Sequence, residues 1–232
     1  MTIAIIAAMP QEIATLADSL DNLREERFHH LRILHGHYRG EAMTVIESGI
    51  GKVNAAIATT HLILNERPRA VINTGSAGGL GQGVHVGDVI IGSRVAHHDV
   101  DVRAFGYALG QVPQMPVEYM ADPALAQAAT QAAHVFAGAG IHQGLIVSGD
   151  QFIDHADKVA RIRTHFPGVL AVEMEAAAIA QTCHQLQTPC VIIRAISDHA
   201  DEKAEHSFEA FIEQAGRQSA RMVLALVEQL AA

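Results

Sequence analysis

The chain has 232 residues, 49% of them hydrophobic and 18% charged, with a formal charge of −9. That length fits one α/β domain over residues 1–232, and the apolar share excludes an intrinsically disordered chain. An acidic chain with no Lys/Arg run is repelled by phosphate backbones, which argues against nucleic acid as a partner.

Residues 1–9 are apolar but lack a basic flank, and Glu12 follows at once, so they read as a buried first strand rather than a secretory signal. Further apolar runs lie at 43–47, 70–74, 89–91, 145–147, 169–172 and 190–196. Continuous rather than alternating runs predict strands buried on both faces. Residues 28–47 read as two adjacent strands joined around Arg39-Gly40, which makes part of the sheet antiparallel. Helices are expected over 53–65, from Asp122-Pro123 onward, over 175–186, and from a Ser207 cap to about residue 230. Segment 99–119 holds Gly106, Gly110, Pro113 and Pro116 and is the one long irregular loop. Loops of this length are often functional, and a plain solvent-exposed connection explains it equally well. Alternating strands and helices predict a three-layer α/β/α domain around a central mixed sheet. No run reaches the ~18 apolar residues of a membrane span. Cys183 and Cys190 form no CxxC and fit a reducing, cytoplasmic compartment.

Ligands of open α/β sheets bind beyond the carboxyl ends of the strands. Here those ends deliver Met9 and Glu12, the run Gly75-Ser76-Ala77-Gly78-Gly79, Ser148-Gly149-Asp150, Glu173-Met174-Glu175 and Ser197-Asp198. Several acids and two glycine-rich turns therefore converge on one rim. Crowding and burial raise some carboxyl pKa values, so that one acid stays protonated while another stays ionised. Cleavage through an oxocarbenium-like state uses such a pair. Each acid taken alone is equally explained as a cap on the helix or turn after its strand. Phe152 follows one of the turns, where it either stacks on a flat heterocycle or enters the core.

Other motifs carry less. The glycine turn at 75–83 has no helix after it, which argues against a dinucleotide cofactor, and no P-loop occurs. His97-His98-Asp99-Val100-Asp101 invites a metal reading, but no helical ligand pair supports it, so neither metal nor cofactor is expected.

At the strand ends the chain resembles the bacterial 5′-methylthioadenosine/S-adenosylhomocysteine nucleosidases, within the purine nucleoside phosphorylase-like superfamily. The resemblance rests on Ala8-Met9 with Glu12, Ser48-Gly49-Ile50-Gly51-Lys52-Val53-Asn54-Ala55-Ala56, Asn73-Thr74-Gly75-Ser76-Ala77-Gly78-Gly79 and Gly87-Asp88-Val89. It continues through Asp101, Ala104-Phe105-Gly106-Tyr107, Gly144-Leu145-Ile146-Val147-Ser148-Gly149-Asp150, Ala171-Val172-Glu173-Met174-Glu175-Ala176 and Arg194-Ala195-Ile196-Ser197-Asp198. It implies hydrolysis of the N-glycosidic bond of adenine thionucleosides, with 5′-deoxyadenosine as a further substrate. It implies Glu12 as the base that activates water and Asp198, supported by Ser197, as the acid at adenine N7. Glu175 would hold the ribose hydroxyls with Met174 packed on the sugar. Ser76 and Arg194 would position water and Glu12. Phe152 would stack on adenine, and the Ile153 backbone would read its edge. Ile50 and Phe208 would line the 5′-substituent pocket, and Met9, Gly78 and Glu173 complete the substrate-binding set. Phe105 and Pro113 would reach a neighbouring subunit's pocket, implying a homodimer. The chain departs from the family at Ala4 and Ala7, where Gly is frequent, at Pro10 and Gln11, where acids are frequent, and at Arg103 near the loop. Ala4 and Ala7 are expected to cost only slight repacking.

Overall fold

The computed structural model describes residues 2–133, 139–201 and 204–231. Strand β1 (Ile3–Ala7) is buried at every residue. Ile3, Ile5 and Ala7 join one apolar cluster while Ala4 and Ile6 join another. A strand alternates its side chains between faces, so an uninterrupted apolar run is what two covered faces require. The extra methyls of Ala4 and Ala7 are fully enclosed there.

β1 pairs in parallel with β4 (Glu41–Glu47) and β5 (Ala70–Asn73). β4 is also the second arm of an antiparallel hairpin with β3 (Leu31–Tyr38), as expected. The turn residues Arg39 and Gly40 both have positive φ, which suits the twist of a two-residue hairpin. Outside β3 lies an edge strand that the apolar pattern does not reveal, β2 (Asp21–Phe28), exposed at every position. Backbone pairing to β3 alone makes it a strand, and its charges discourage further strand addition.

The remaining strands are β6 (Ser76–Gly79), β7 (Val89–His97), β8 (Tyr119–Met120), β9 (Ile141–Ser148), β10 (Val169–Glu173) and β11 (Cys190–Asp198). The sheet order is β2-β3-β4-β1-β5-β11-β6-β10-β9-β7-β8, and β11 also pairs with β7. Strands β11, β6, β10, β9 and β7 thereby close into a ring. β11 manages this by changing partners along its length: residues 190–192 pair with β5, 192–195 with β7 and 195–198 with β6.

β6 corrects the expected glycine turn. Residues 76–79 form a strand squeezed between β10 and β11. A Cβ at Gly78 would lie 3.0 Å from Asp198 Oδ1, and one at Gly79 would lie 3.1 Å from Ile196 Cγ2. Crowding by both neighbours, rather than a turn, accounts for the small residues.

Helices α1 (Pro10–Ser19), α3 (Pro123–Ala133) and α6 (Ala204–Ala231) cover one face, and α2 (Lys52–Glu66) and α5 (Ala176–Gln185) the other. Helix α4 (Ala156–His165) sets Val159 and Ile162 into a third apolar cluster. Asp122 caps α3 as expected, its Oδ1 accepting the N–H groups of Ala124 and Leu125 at 3.0 Å. Ser207 does not cap the last helix, because α6 already begins at Ala204 and encloses Ser207 in its first turn. Segment 99–119 is irregular apart from a 3₁₀ turn over Arg103–Phe105 and the entry into β8. Among the described residues no helix is long and apolar enough to cross a membrane.

Helix α6 fixes α1 at one point of very close approach. A Cβ at Gly216 would sit 2.6 Å from Gln11 O and 3.2 Å from Glu12 Cα. Backbone atoms of α1 cannot swing aside as a flexible side chain does. Gly216→Val should therefore lower the unfolding free energy by about 1–3 kcal/mol, read from urea denaturation.

Candidate active site

Glu12 is delivered by the start of α1, where Pro10 takes the first helical position and extended Met9 the N-cap. From the third helical position its side chain turns back, and Oε2 accepts the N–H groups of Ala8 at 2.9 Å and Met9 at 3.1 Å. Oε1 accepts the N–H of Ser76 at 2.9 Å and its hydroxyl at 3.0 Å. The carboxylate is thus a helix cap, as the simpler reading of the sequence had it. It is also a clamp between the end of β1 and the start of β6. Gly75 allows this approach: a Cβ there would collide with Arg194 Nη1 and lie 2.8 Å from Glu12 Oε1.

Arg194, midway along β11, lies buried beneath the acids. Its Nη2 donates to Asn73 Oδ1 at 2.7 Å and to Glu173 Oε2, and stands 3.5 Å from Glu175 Oε2. Its Nη1 donates to Ser76 O at 3.4 Å, while Nε has no partner among the described residues.

The two glutamates at the end of β10 have different surroundings. Glu173 accepts from the Ser148 hydroxyl, from Arg194, and from the N–H groups of Glu175 at 3.0 Å and Ala176 at 2.9 Å. Its oxygens are committed to capping α5 and to holding the arginine. Glu175 accepts the Gly51 N–H at 2.9 Å. Burial first, and the negative charge of Glu173 second, push its carboxyl up to about 8.

Asp198 ends β11. Its Oδ2 accepts the Ser197 hydroxyl and its Oδ1 the Ala200 N–H, both at 2.8 Å. Burial pushes its carboxyl above the ordinary aspartate range in spite of these two bonds. Ser197 is thereby in direct contact with Asp198.

These elements meet around a cleft of about 320 Å³. Met9, Glu12, Ile50, Ser76, Gly78, Phe152, Ile153, Glu173, Met174, Glu175, Ser197, Asp198 and Phe208 all line it. Phe152 is 42% exposed and meets Phe208 edge-on with ring centroids 5.9 Å apart, so it stands at the rim and not in the core. Arg194 supports the floor without lining it. Phe105, 82% exposed, and Pro113, also exposed, do not line this chain's own cleft. Ala8, Ala77, Gln151 and Val172 complete the wall. Ala8, Ala77 and Val172 are small apolar residues and Gln151 carries a neutral amide, so in the sequence only adjacency to Met9, Ser76, Glu173 and Phe152 marks the four. The histidine–aspartate run does not converge: His97 bonds Gln181, Asp99 bonds Lys52 and Asp101 bonds Arg103.

A family described as the Phosphorylase superfamily matches residues 2–228. A 5′-methylthioadenosine/S-adenosylhomocysteine nucleosidase of Chromohalobacter salexigens is 50% identical over 98% of this chain and 97% of its own. The chain belongs to the 5′-methylthioadenosine/S-adenosylhomocysteine nucleosidase family. The Bacillus subtilis nucleosidase is 44% identical over 99% of this chain and all of its own. The crystal structure of the Neisseria meningitidis nucleosidase, in complex with methylthio-immucillin-A, superposes with a TM-score of 0.96. It is 56% identical and covers 98% of each chain. The mixed sheet with helices on both faces is the fold that this nucleosidase family shares.

The raised carboxyl of Glu175 has a measurable consequence. Between the ordinary glutamate range and about 8 the folded protein holds a proton that the unfolded chain has lost. Stability then falls as pH rises through that window. Glu175→Gln removes the effect while its amide oxygen still accepts the Gly51 N–H. In urea titrations the variant should gain stability relative to the parent from about pH 5 to about pH 8.

Proposed function

We propose that this protein hydrolyses the N-glycosidic bond of 5′-methylthioadenosine and S-adenosylhomocysteine, releasing adenine and the corresponding thioribose. The carrying observation is that one cleft holds Glu12, whose carboxyl oxygens accept four hydrogen bonds, together with Asp198, on which burial favours a proton. A general base and a general acid are what hydrolysis through an oxocarbenium-like state needs. The family places the reaction in methionine salvage and S-adenosylhomocysteine recycling.

In this reading the adenine ring stacks on Phe152 and is read by the Ile153 backbone. Asp198 protonates N7, so the base leaves as neutral adenine. The C1′–N9 bond breaks, and positive charge develops on the ribose beside Glu175, which holds the sugar hydroxyls. Glu12 takes a proton from water as its oxygen bonds to C1′, with Ser76 and Arg194 setting its position. Met174 packs on the sugar, and Met9, Ile50 and Phe208 border the 5′-substituent. 5′-Deoxyadenosine, which lacks only the thio substituent at C5′, is a further substrate in this reading. Phosphorolysis is disfavoured because the Glu12 carboxylate would repel a phosphate nucleophile.

The exposed Phe105 and Pro113 support a homodimer in which this loop closes the partner's pocket. The buried free thiols Cys183 and Cys190 fit the cytoplasm.

In phosphate-free buffer the protein should convert methylthioadenosine to adenine and free methylthioribose, followed by chromatography. A phosphorylated sugar formed only with added phosphate would overturn hydrolysis. Asp198→Asn and Glu12→Gln should each lower kcat by roughly 10²–10⁴-fold. Asp198→Asn should also alter the fall in rate at high pH, to which loss of the Asp198 proton contributes. Light scattering should give twice the 24.8 kDa chain mass, and Phe105→Ala should raise KM without altering that mass.

A further inference from the structure

Two walls of the cleft are loops. Ile50 lies between the end of β4 at Glu47 and the start of α2 at Lys52. Gln151, Phe152 and Ile153 lie between the end of β9 at Ser148 and the start of α4 at Ala156. Neither wall is held by regular secondary structure, so something else must limit its freedom.

Polar contacts far from the reacting bond do so. The Lys52 backbone N–H donates to Asp150 Oδ1 at 2.8 Å, and its Nζ donates to Asp99 Oδ1 at 2.6 Å. The other oxygen of Asp99 accepts the Asp150 N–H at 3.0 Å. His98 lies under the same turn: a Cβ on Gly149 would collide with its Nε2. One residue before Lys52, the Gly51 N–H donates to Glu175. The Lys52 and Asp99 side chains are only 19% and 16% exposed, so solvent and salt screen the pair less than a surface bridge. Burial, the largest single influence, would raise the Asp99 carboxyl, but the Lys52 hydrogen bond and charge together with the Asp150 N–H outweigh it and hold the group below the ordinary aspartate range.

We propose that Lys52 and Asp99 are positioning residues whose ion pair, beside the Lys52 N–H to Asp150 bond, braces the Phe152–Ile153 wall against the Gly51 loop and so sets the register between the base subsite and the sugar-binding carboxylate. Neither residue lines the cleft. Both act through backbone that does: Asp150 leads into Phe152, and Lys52 follows Gly51 and Ile50. Small displacements of positioning groups are costly in binding and rate. The inference rests on the nucleosidase reading above.

The test uses Lys52→Met, Asp99→Asn and the double variant, with adenine binding measured by calorimetry alongside methylthioadenosine kinetics. Each single variant should raise KM roughly 10-fold and weaken adenine binding similarly, while kcat falls less than about 3-fold. The double variant should be no worse than the weaker single, because both remove one contact. A merely structural pair would lower Tm and leave the adenine affinity of the folded protein unchanged. Should Asp99→Asn fail to fold, Lys52→Met, altered at a partly exposed ammonium, decides alone. Wild-type adenine affinity and KM in folded Lys52→Met, or single effects that multiply in the double, would overturn the inference. No adenine release by the wild type would instead overturn the nucleosidase reading, and adenine binding by the variants would still report on the lock.

Discussion

Arg194 is the charge that allows a group of acids to share one small cleft. Buried carboxylates without a counter-charge take up protons instead of remaining ionised. The guanidinium contacts Glu173 directly and stands 3.5 Å from Glu175, and Asn73 fixes its orientation. Compensation is therefore unequal. Glu173 is tied to the arginine and to the start of α5, whereas Glu175 keeps a raised affinity for its proton. Nη2 bonds the Asn73 amide and the Glu173 carboxylate while Nη1 reaches Ser76 O, a spread over two fixed nitrogens that the single ammonium of a lysine does not reproduce. Removing one partner would leave a buried charge unpaired, so the arrangement behaves as a unit.

The path of β11 explains how Arg194 and Asp198 come to serve the same cleft. Only its first residues belong to the row that contains β1 and β5. Farther along it leaves β5, pairs with β7 and then β6, and closes the ring. Arg194 lies where the strand changes partners, and Asp198 lies at its far end. The same bend brings β6 beneath Glu12, whose carboxylate then joins α1 to the ring through Ser76. Residues near each end of the chain thus meet through the middle of the sheet.

Parts of this arrangement were legible in the sequence because burial writes itself into composition. β1, β5 and β11 are covered on both faces and appear as unbroken apolar runs. The hairpin from Leu31 to Glu47 was legible through its turn. β2 was not, because an edge strand with every side chain in solvent carries no apolar pattern. α4 escaped for a similar reason, burying only Val159 and Ile162. Gly78 and Gly79 look alike in a turn and in a crowded strand, since a missing side chain does not say what displaced it. In the site, acids at strand ends stood out singly. The Asn73–Arg194 bond, 121 residues apart in sequence, and the Lys52–Asp99 pair, 47 apart, are set by the tertiary path and leave no local trace.

Helix α6 gives the site an order of assembly. It supplies Phe208 to the cleft wall, lays Gly216 against α1, and sets Ser219 where it accepts the Gly75 N–H at 3.1 Å and bonds the Thr74 hydroxyl. All three follow Asp198 in the chain. A polypeptide emerging from the ribosome exposes Glu12, Glu175 and Asp198 before the helix that seats the first of them has been made. The nascent chain therefore displays acids without a finished cleft. The cleft is complete only once α6 has docked against α1 and the start of β6.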